Sequence, residues 1–332
     1  MFNADRTKRF WITLPLILGS LAAFTTSSAT AQDNKYPSKP IRWIVGFPAG
    51  GGSDFMARTI AKAMSEEMGQ PIVIDNRPGA GAMIGAEAAA RAPADGYTVW
   101  SGDMSTLLFN PMFYKKISYK VSDFQPVGLM GTFNFFISTG TASGIESLPA
   151  AVDSVKKGTK FSYGSSGAGT PQHLVMEIFK KSAGIDLTHA PYRGVPQVVQ
   201  DLMGNQIQFG VVDVAFAQTQ AKAGKLRPLA ATSPVRLPSF PEVPTMKELG
   251  YKDVEMYAWQ GMLVPTGTPR AIVEQLSANL QKALQRPDIR KAMTEHGLEI
   301  TPSTSQEFVS HIQQQTKIWS EIIRASDIKL EF

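Results

Sequence analysis

The chain has 332 residues, 33 Lys and Arg against 28 Asp and Glu, four histidines and no cysteine. That composition excludes disulfides, thiolate metal sites and lipid attachment through a cleavage-site cysteine, and four scattered histidines are too few for a zinc or iron centre. The formal charge of +5 includes no dense basic block, which excludes a nucleic-acid surface and suits an acidic small ligand.

The first 31 residues read as an export signal. Arg6, Lys8 and Arg9 form a basic start, Phe10 to Phe24 an apolar run, and Ala29-Thr30-Ala31 a small-residue cleavage site before Gln32. Pro15 and Gly19 interrupt the run, which falls short of the roughly 20 residues of a spanning helix. The expectation is a periplasmic protein starting near Gln32, with enough chain left for two domains held by their cores alone.

From there, strand and helix alternate. Ile41 to Phe47 predicts a short buried strand; Pro48 and Gly50 to Gly52 then lead through Ser53 and Asp54 into an amphipathic helix closed by Gly69 and Pro71. Pro71 to Asp75 predicts a second strand, Asn76 to Gly79 a turn, and an Ala-rich stretch to about Arg91 a helix. Tyr97 to Ser101 is a third strand, followed by a loop at Gly102 to Thr106. Val127 to Ser138 predicts a long strand leaving the first unit. Alternation resumes with Phe161 to Tyr163, the loop Gly164 to Gly169, and a helix opened by Thr170-Pro171 and ended by Gly184. Leu187 to Tyr192, Ile207 to Asp213 and Leu226 to Thr232 read as strands, with helices at Val195 to Met203 and up to Ala223. Pro234 to Pro244 is irregular, Glu255 to Val264 a return strand, and the tail is helical.

The expected fold is α/β and two-lobed, each lobe a mainly parallel sheet flanked by helices, with two strands crossing between lobes. The boundaries read as a signal at 1–31, one lobe from 32–131 and 257–303, a second at 132–256, and a C-terminal helix at 304–332 assigned to neither. Each lobe offers a strand, a Gly/Ser loop and a capped helix, so two helix starts can face one anion.

Several stretches together resemble the periplasmic substrate-binding receptors of the tripartite tricarboxylate transporter family, the Bug-type proteins. They include YPSKPIRWIVGFPAGGGSD (36–54), VIDNRPGAGAMIGAEAAARAPADGYTV (73–99), YGSSGAGTPQHL (163–174), PYRGVPQVVQDLMGNQI (191–207), AGKLRPLAATS (223–233), FPEVPTMKELG (240–250) and WQGMLVPTGTP (259–269). The resemblance implies a Venus-flytrap fold, capture of a small carboxylate for membrane components of a transporter, no catalysis and no cofactor. It places the ligand carboxylate between Gly51, Gly52 and Ser53 on one side and Ser165, Ser166, Gly167 and Thr170 on the other. The loop holding Met104 and Ser105 lines the same cleft, although Asp103 and Met104 stand where small polar residues are expected. Asp213 is kept where the family has a Phe-Asp pair, and its aromatic neighbour is not.

The side chains sharpen the expectation. Asp54 is expected to turn back toward the backbone behind its loop, leaving the glycine amides and the Ser53 hydroxyl free. Arg193 is either a partner for a second ligand carboxylate or a loop tie, Asp213 a ligand acceptor or a helix cap, and His173 a packed histidine. Phe47, Met104, Phe135 and Trp259 form the expected walls, with Phe47 and Trp259 placed to sandwich a flat body. The preferred ligand is an aromatic mono- or dicarboxylate such as a benzoate or terephthalate, and the receptor is expected to be a monomer. The rival class is a secreted α/β enzyme. Gly79 to Gly85 imitates a dinucleotide fingerprint but departs from its spacing, and Gly164 to Gly167 lacks the spacing of a nucleophile elbow.

Overall fold

A computed structural model describes residues 36–325; the expected export signal and cleavage site lie outside them. In chain order the elements are β1 (Ile41–Val45), α1 (Gly52–Met68), β2 (Ile72–Asn76), α2 (Met83–Ala90), β3 (Thr98–Asp103), α3 (Asn110–Phe113), β4 (Phe124–Gly140), α4 (Leu148–Lys156) and β5 (Ser162–Ser165). They continue with α5 (Pro171–Ala183), β6 (Thr188–Pro191), α6 (Val195–Met203), β7 (Phe209–Asp213), α7 (Val214–Lys222), β8 (Leu226–Ala231), β9 (Tyr257–Pro265), α8 (Arg270–Gln285), α9 (Pro287–Glu295), β10 (Leu298–Ile300) and α10 (Ser305–Ala325).

Two parallel triplets set the architecture. β1 lies between β2 and β3, and β5 between β6 and β7. Ile41, Trp43, Ile44 and Val45 are fully buried, as a strand covered on both faces requires. β4 belongs to both halves. Its residues up to Asn134 pair antiparallel with β9, and those from Phe135 onward pair with β7 and β8. The expected crossing strand is therefore present and longer than the apolar run that announced it. β9 begins at Tyr257, opposite Asn134, so the chain returns through the residues before it rather than by a strand. This is the two-lobed α/β fold expected from the sequence.

Three features lay outside the sequence reading. The segment after β3 is not an open loop but a π-helical turn, Ser105–Phe109, running into α3. α4 starts at Ser147, whose hydroxyl accepts from the Ala150 amide at 3.3 Å. β10 adds to β4 through Leu298, Glu299 and Ile300.

α10 packs on β4 and on the π-helical turn. Phe308 is fully buried and meets Trp259 edge-on, with ring centroids 5.7 Å apart, while Trp319 meets Phe109 edge-on at 5.4 Å. Gly261 makes this contact possible, because a Cβ there would lie 2.2 Å from the Phe308 ring. Replacing Phe308 by Ala removes the ring that backs the β9 strand, and should destabilise the protein by about 3–5 kcal/mol. Urea unfolding measures this; a loss below about 1 kcal/mol would show that α10 is not an integral part of the core.

Candidate functional site

The C-terminal ends of β1 and β5 deliver two helix starts to a single cavity. Its lining includes Phe47, Gly51, Gly52 and Ser53 from the first loop, and Ser166, Pro171 and Gln172 from the second. The floor is set by strand alternation, since side chains two residues apart share a face. Phe133 and Phe135 rise from β4, Ala258 and Gln260 from β9, Asp103 from β3 and Asp213 from β7, and all six line the cavity. Val195 and Pro196 at the start of α6 close one side. The cavity volume is about 50 Å³, room for roughly three to five water-sized groups.

The first helix start has no side-chain cap: Gly51 precedes α1 in an extended conformation. Asp54 does turn back. Its Oδ2 accepts from the Gly50 amide and from Arg58 Nε, both at 2.9 Å, and its Oδ1 accepts from Asn76 Nδ2 at 2.9 Å. Burial alone would raise its pKa, but those hydrogen bonds together hold it below the usual carboxylate value. Ser53 Oγ accepts from Gln260 Nε2 at 2.7 Å, which leaves the serine proton available to a ligand. Gly52 lies against Asp213: a Cβ there would be 3.3 Å from Asp213 Oδ2. Asp213 Oδ1 accepts from the Phe216 amide at 3.2 Å and so caps α7. Burial pushes the Asp213 carboxyl up to about 6 against the pull of backbone amides around it.

The second helix start is tied largely to itself. Thr170 caps α5, accepting from the His173 amide and donating to the Gly167 carbonyl at 2.7 Å. Ser165 Oγ bonds the Gly167 carbonyl and amide at 3.0 and 3.2 Å, and His189 Nε2 at 2.7 Å. Ser166 Oγ donates to Gln172 Oε1 at 3.0 Å. Behind this loop stand stacked rings: His189 on His173 at 3.9 Å and on Tyr163 at 4.8 Å. Tyr163 donates in turn to Glu177, which Lys180 pairs at 3.0 Å.

The expected site residues therefore divide. Phe47, Gly51, Gly52, Ser53, Ser166, Asp213, Phe135 and Trp259 border the cavity. Met104 and Ser105 are fully buried where the π-helical turn begins, and Ser165, Gly167 and Thr170 form the internal frame of the second loop; none of the five lines the cavity. Arg193 is exposed and also absent from the lining, because Gly194 packs its loop against Pro48. Trp259 borders the cavity, but alternation turns its indole to the other face of β9, against Phe308 and His311. Gln172 and Gln260 are polar lining residues that the sequence reading did not propose, whereas Asp103 was placed in the cleft loop but not among the ligand contacts. The only signal for Gln172 was positional, as the residue following Thr170-Pro171. Nothing in the sequence reveals that Gln260 lies opposite Asp103.

The glycine run that imitates a dinucleotide fingerprint has another use. A Cβ at Gly81 would lie 2.8 Å from the Ala168 carbonyl, and one at Gly167 3.3 Å from Gly81 itself. The run is a close contact between the loops of the two halves, and within its own half it is held by Asn110 Nδ2 donating to the Gly81 carbonyl. Among the described residues, no group of His, Cys, Asp and Glu is placed to hold a metal ion.

A two-lobed α/β protein with paired helix starts over one small cavity is a solute receptor in form. Residues 56–328 match the tripartite tricarboxylate transporter family receptor, and the chain belongs to that family. It is 34% identical over 312 residues to a UPF0065 protein of Pseudomonas sp. strain P51, covering 93% of each chain. It is 31% identical over 318 residues to Protein BugT of Bordetella pertussis, covering 95% of this chain and 98% of that one. Among solved structures it resembles an R. palustris protein with adipate at a TM-score of 0.84 and 28% identity, covering 89% of this chain and 99% of that one. It also resembles MatC from Rhodopseudomonas palustris with bound malate at 0.81 and 26%, covering 87% and 100%. The family is one of solute receptors, so this chain is a receptor and not an enzyme.

The histidine stack gives a pH signature. Burial holds both rings neutral, with pKa values lowered to about 3 for His173 and about 4 for His189 from the usual 6.5. An unfolded chain binds those protons near pH 6.5 and the folded one does not, so their contribution is complete above 6.5 and lost as pH falls toward 4. The raised pKa of Asp213 acts with the opposite sign, over about pH 4–6, and is common to wild type and variant. A His189→Gln variant should therefore lose less melting temperature than wild type between pH 6.5 and 4. Parallel curves would mean that His189 is not held neutral.

Proposed function

We propose that this receptor captures a small carboxylate in the periplasm and delivers it, as a monomer, to the membrane components of a tripartite transporter. The observation that carries the reading is the convergence of the α1 and α5 helix starts, with Ser53 and Ser166, on one cavity. Helix starts supply amide donors and partial positive charge, and each adds about 0.3–1 kcal/mol for an anion. The adipate and malate carried by two solved relatives support a carboxylate ligand. No helix among the described residues is long and apolar enough to cross a membrane.

For the body of the ligand we favour an aromatic ring, because Phe47, Phe133 and Phe135 wall the cavity. A ring of benzoate size needs the lobes slightly wider apart than a 50 Å³ cavity allows. A dicarboxylate such as terephthalate is less well supported: no Lys, Arg or His lines the cavity among the described residues. Glycine contacts link the halves, with Gly194 against Pro48 and Gly297 against Val214, so ligand entry requires hinge opening near Asn134.

Calorimetry with benzoate, citrate, short aliphatic acids and their methyl esters tests the reading. Acids should bind and esters should not; esters binding equally would end the carboxylate proposal. Ser166→Ala should weaken all acids by about 1–3 kcal/mol, whereas Phe47→Ala should weaken aromatic acids selectively. Citrate binding far more tightly than any aromatic acid would end the aromatic preference alone. Export is checked by mass spectrometry of periplasmic protein, which should begin near Gln32; a retained Met1 would contradict cleavage.

A further inference from the structure

Residues 79–82 follow a costly backbone path. Gly79, Ala80, Gly81 and Ala82 have φ of 130, 49, 57 and 68°, so four consecutive residues sit in the left-handed region. Among the described residues only three positions with a side chain have positive φ, and Ala80 and Ala82 are two of them. An alanine resists that conformation because its Cβ comes too close to the following carbonyl. It persists only where surrounding contacts impose it.

Contacts within the first half do so. A Cβ at Gly46 would lie 2.7 Å from the Ala82 Cβ, and one at Gly85 2.9 Å from the Gly46 Cα, so the start of α2 is pressed onto the end of β1. Asn110 Nδ2 holds the Gly81 carbonyl at 2.9 Å. The turn is thus shaped by its own half, and its tip, the buried Gly81, is offered to the other. There it meets main chain, since the Ala168 carbonyl and Gly167 leave no room for a side chain on it. Tyr114 donates to the same Ala168 carbonyl at 3.3 Å, and a Cβ on Gly169 would lie 3.1 Å from Asn110 Oδ1.

Side chains can swing aside when two bodies approach, but peptide groups fixed on both sides cannot. The second loop is fixed in its turn by Ser165 and Thr170, which bond the Gly167 peptide. We propose that the 79–82 turn, positioned by Asn110, is a preformed stop between the halves. It meets the 167–169 peptide, sets the separation at which the halves come to rest, and holds them together before any ligand arrives. None of Gly81, Asn110, Gly167 and Ala168 lines the cavity. The contact therefore adds the same factor to the affinity of every ligand and contributes nothing to the choice among them. It does not depend on the carboxylate reading above.

The test needs no ligand. The chain has no cysteine, so one introduced thiol reports on one place. Ser166→Cys puts it at a cavity position that is 2% exposed, and a maleimide is too large for a space of about 50 Å³. Labelling of the ligand-free, full mature protein then requires the halves to part. Adding Gly81→Ala sets a methyl group against the Ala168 carbonyl and should speed labelling by about 5–30-fold, the factor typical of losing one such contact. Gly69→Ala is the control: Gly69 is as left-handed, at φ 66°, but nothing lies within 4 Å of its Cβ position. It should label at the rate of the parent. Asn110→Ala, which frees the turn without adding bulk, should act in the same direction as Gly81→Ala, and decides the matter if that variant does not fold. A parent that labels as fast as an exposed thiol would show the halves apart without ligand, and would overturn the proposal. So would Gly81→Ala or Asn110→Ala labelling at the parent rate, or an equal gain in Gly69→Ala.

Discussion

The carboxylate of Asp213 is the point where the two halves of this molecule are held in one electrostatic frame. It caps α7 through the Phe216 amide and lies against Gly52 at the start of α1. Helices from opposite halves therefore share one buried negative charge. Its satisfaction comes from peptide groups rather than from a cation, so the frame is built from fixed dipoles that need no side-chain ordering. Asp54 is satisfied differently, by the Gly50 amide together with the Arg58 guanidinium and the Asn76 side chain. Because Asp54 takes one of the free amides of the first loop, the donors remaining to a ligand are few and specifically placed.

The second loop solves a different problem. It must present Ser166 and the α5 start without collapsing, although it is made of residues with little stiffness of their own. Ser165, Thr170 and the Gly167 peptide hold one another, and the flat rings of His189, His173 and Tyr163 support them from behind. Neutral imidazoles suit this position. They can hydrogen-bond to Ser165 and to the Gly169 amide without adding a charge that would compete with the cavity for an anion. The rigidity of the seat thus comes from residues that do not touch the cavity, which is why Ser165 and Thr170 matter there as framework.

Both strand–loop–helix units were legible in the sequence because each is local: a short apolar strand, a glycine turn and a helix start within a single run. The long β4 strand was legible for the same reason, as an apolar stretch without helical spacing. What was not legible depends on facing. Trp259 and Gln260 are neighbours, and alternation sends one into the α10 packing and the other into the cavity. Composition favours the aromatic residue as the ligand wall, while register selects the glutamine. Arg193 shows the same limit. Its charge invited a ligand role, but the close approach of Gly194 to Pro48 leaves the arginine in solvent. The π-helical turn escaped because Ser105, Thr106 and the apolar residues after them carry no cap or period that distinguishes it from a loop.

Facing also explains why the cavity's charge is opposite to the chain's. The protein is basic overall, with 33 Lys and Arg against 28 Asp and Glu, yet its cavity is lined by two acids and no base. A surface excess of positive charge raises the local concentration of anions by long-range attraction, which salt screens within about 8 Å at physiological strength. Inside the closed cavity, contact geometry takes over, and attraction to the whole protein no longer distinguishes one anion from another. Discrimination there depends on which buried polar atoms are left unpaired if the wrong molecule enters. Attraction and selection thus fall to different parts of the molecule: the basic surface acts at long range, and the buried lining of the cavity, with Asp103, Asp213 and Gln260 among its polar atoms, acts at contact.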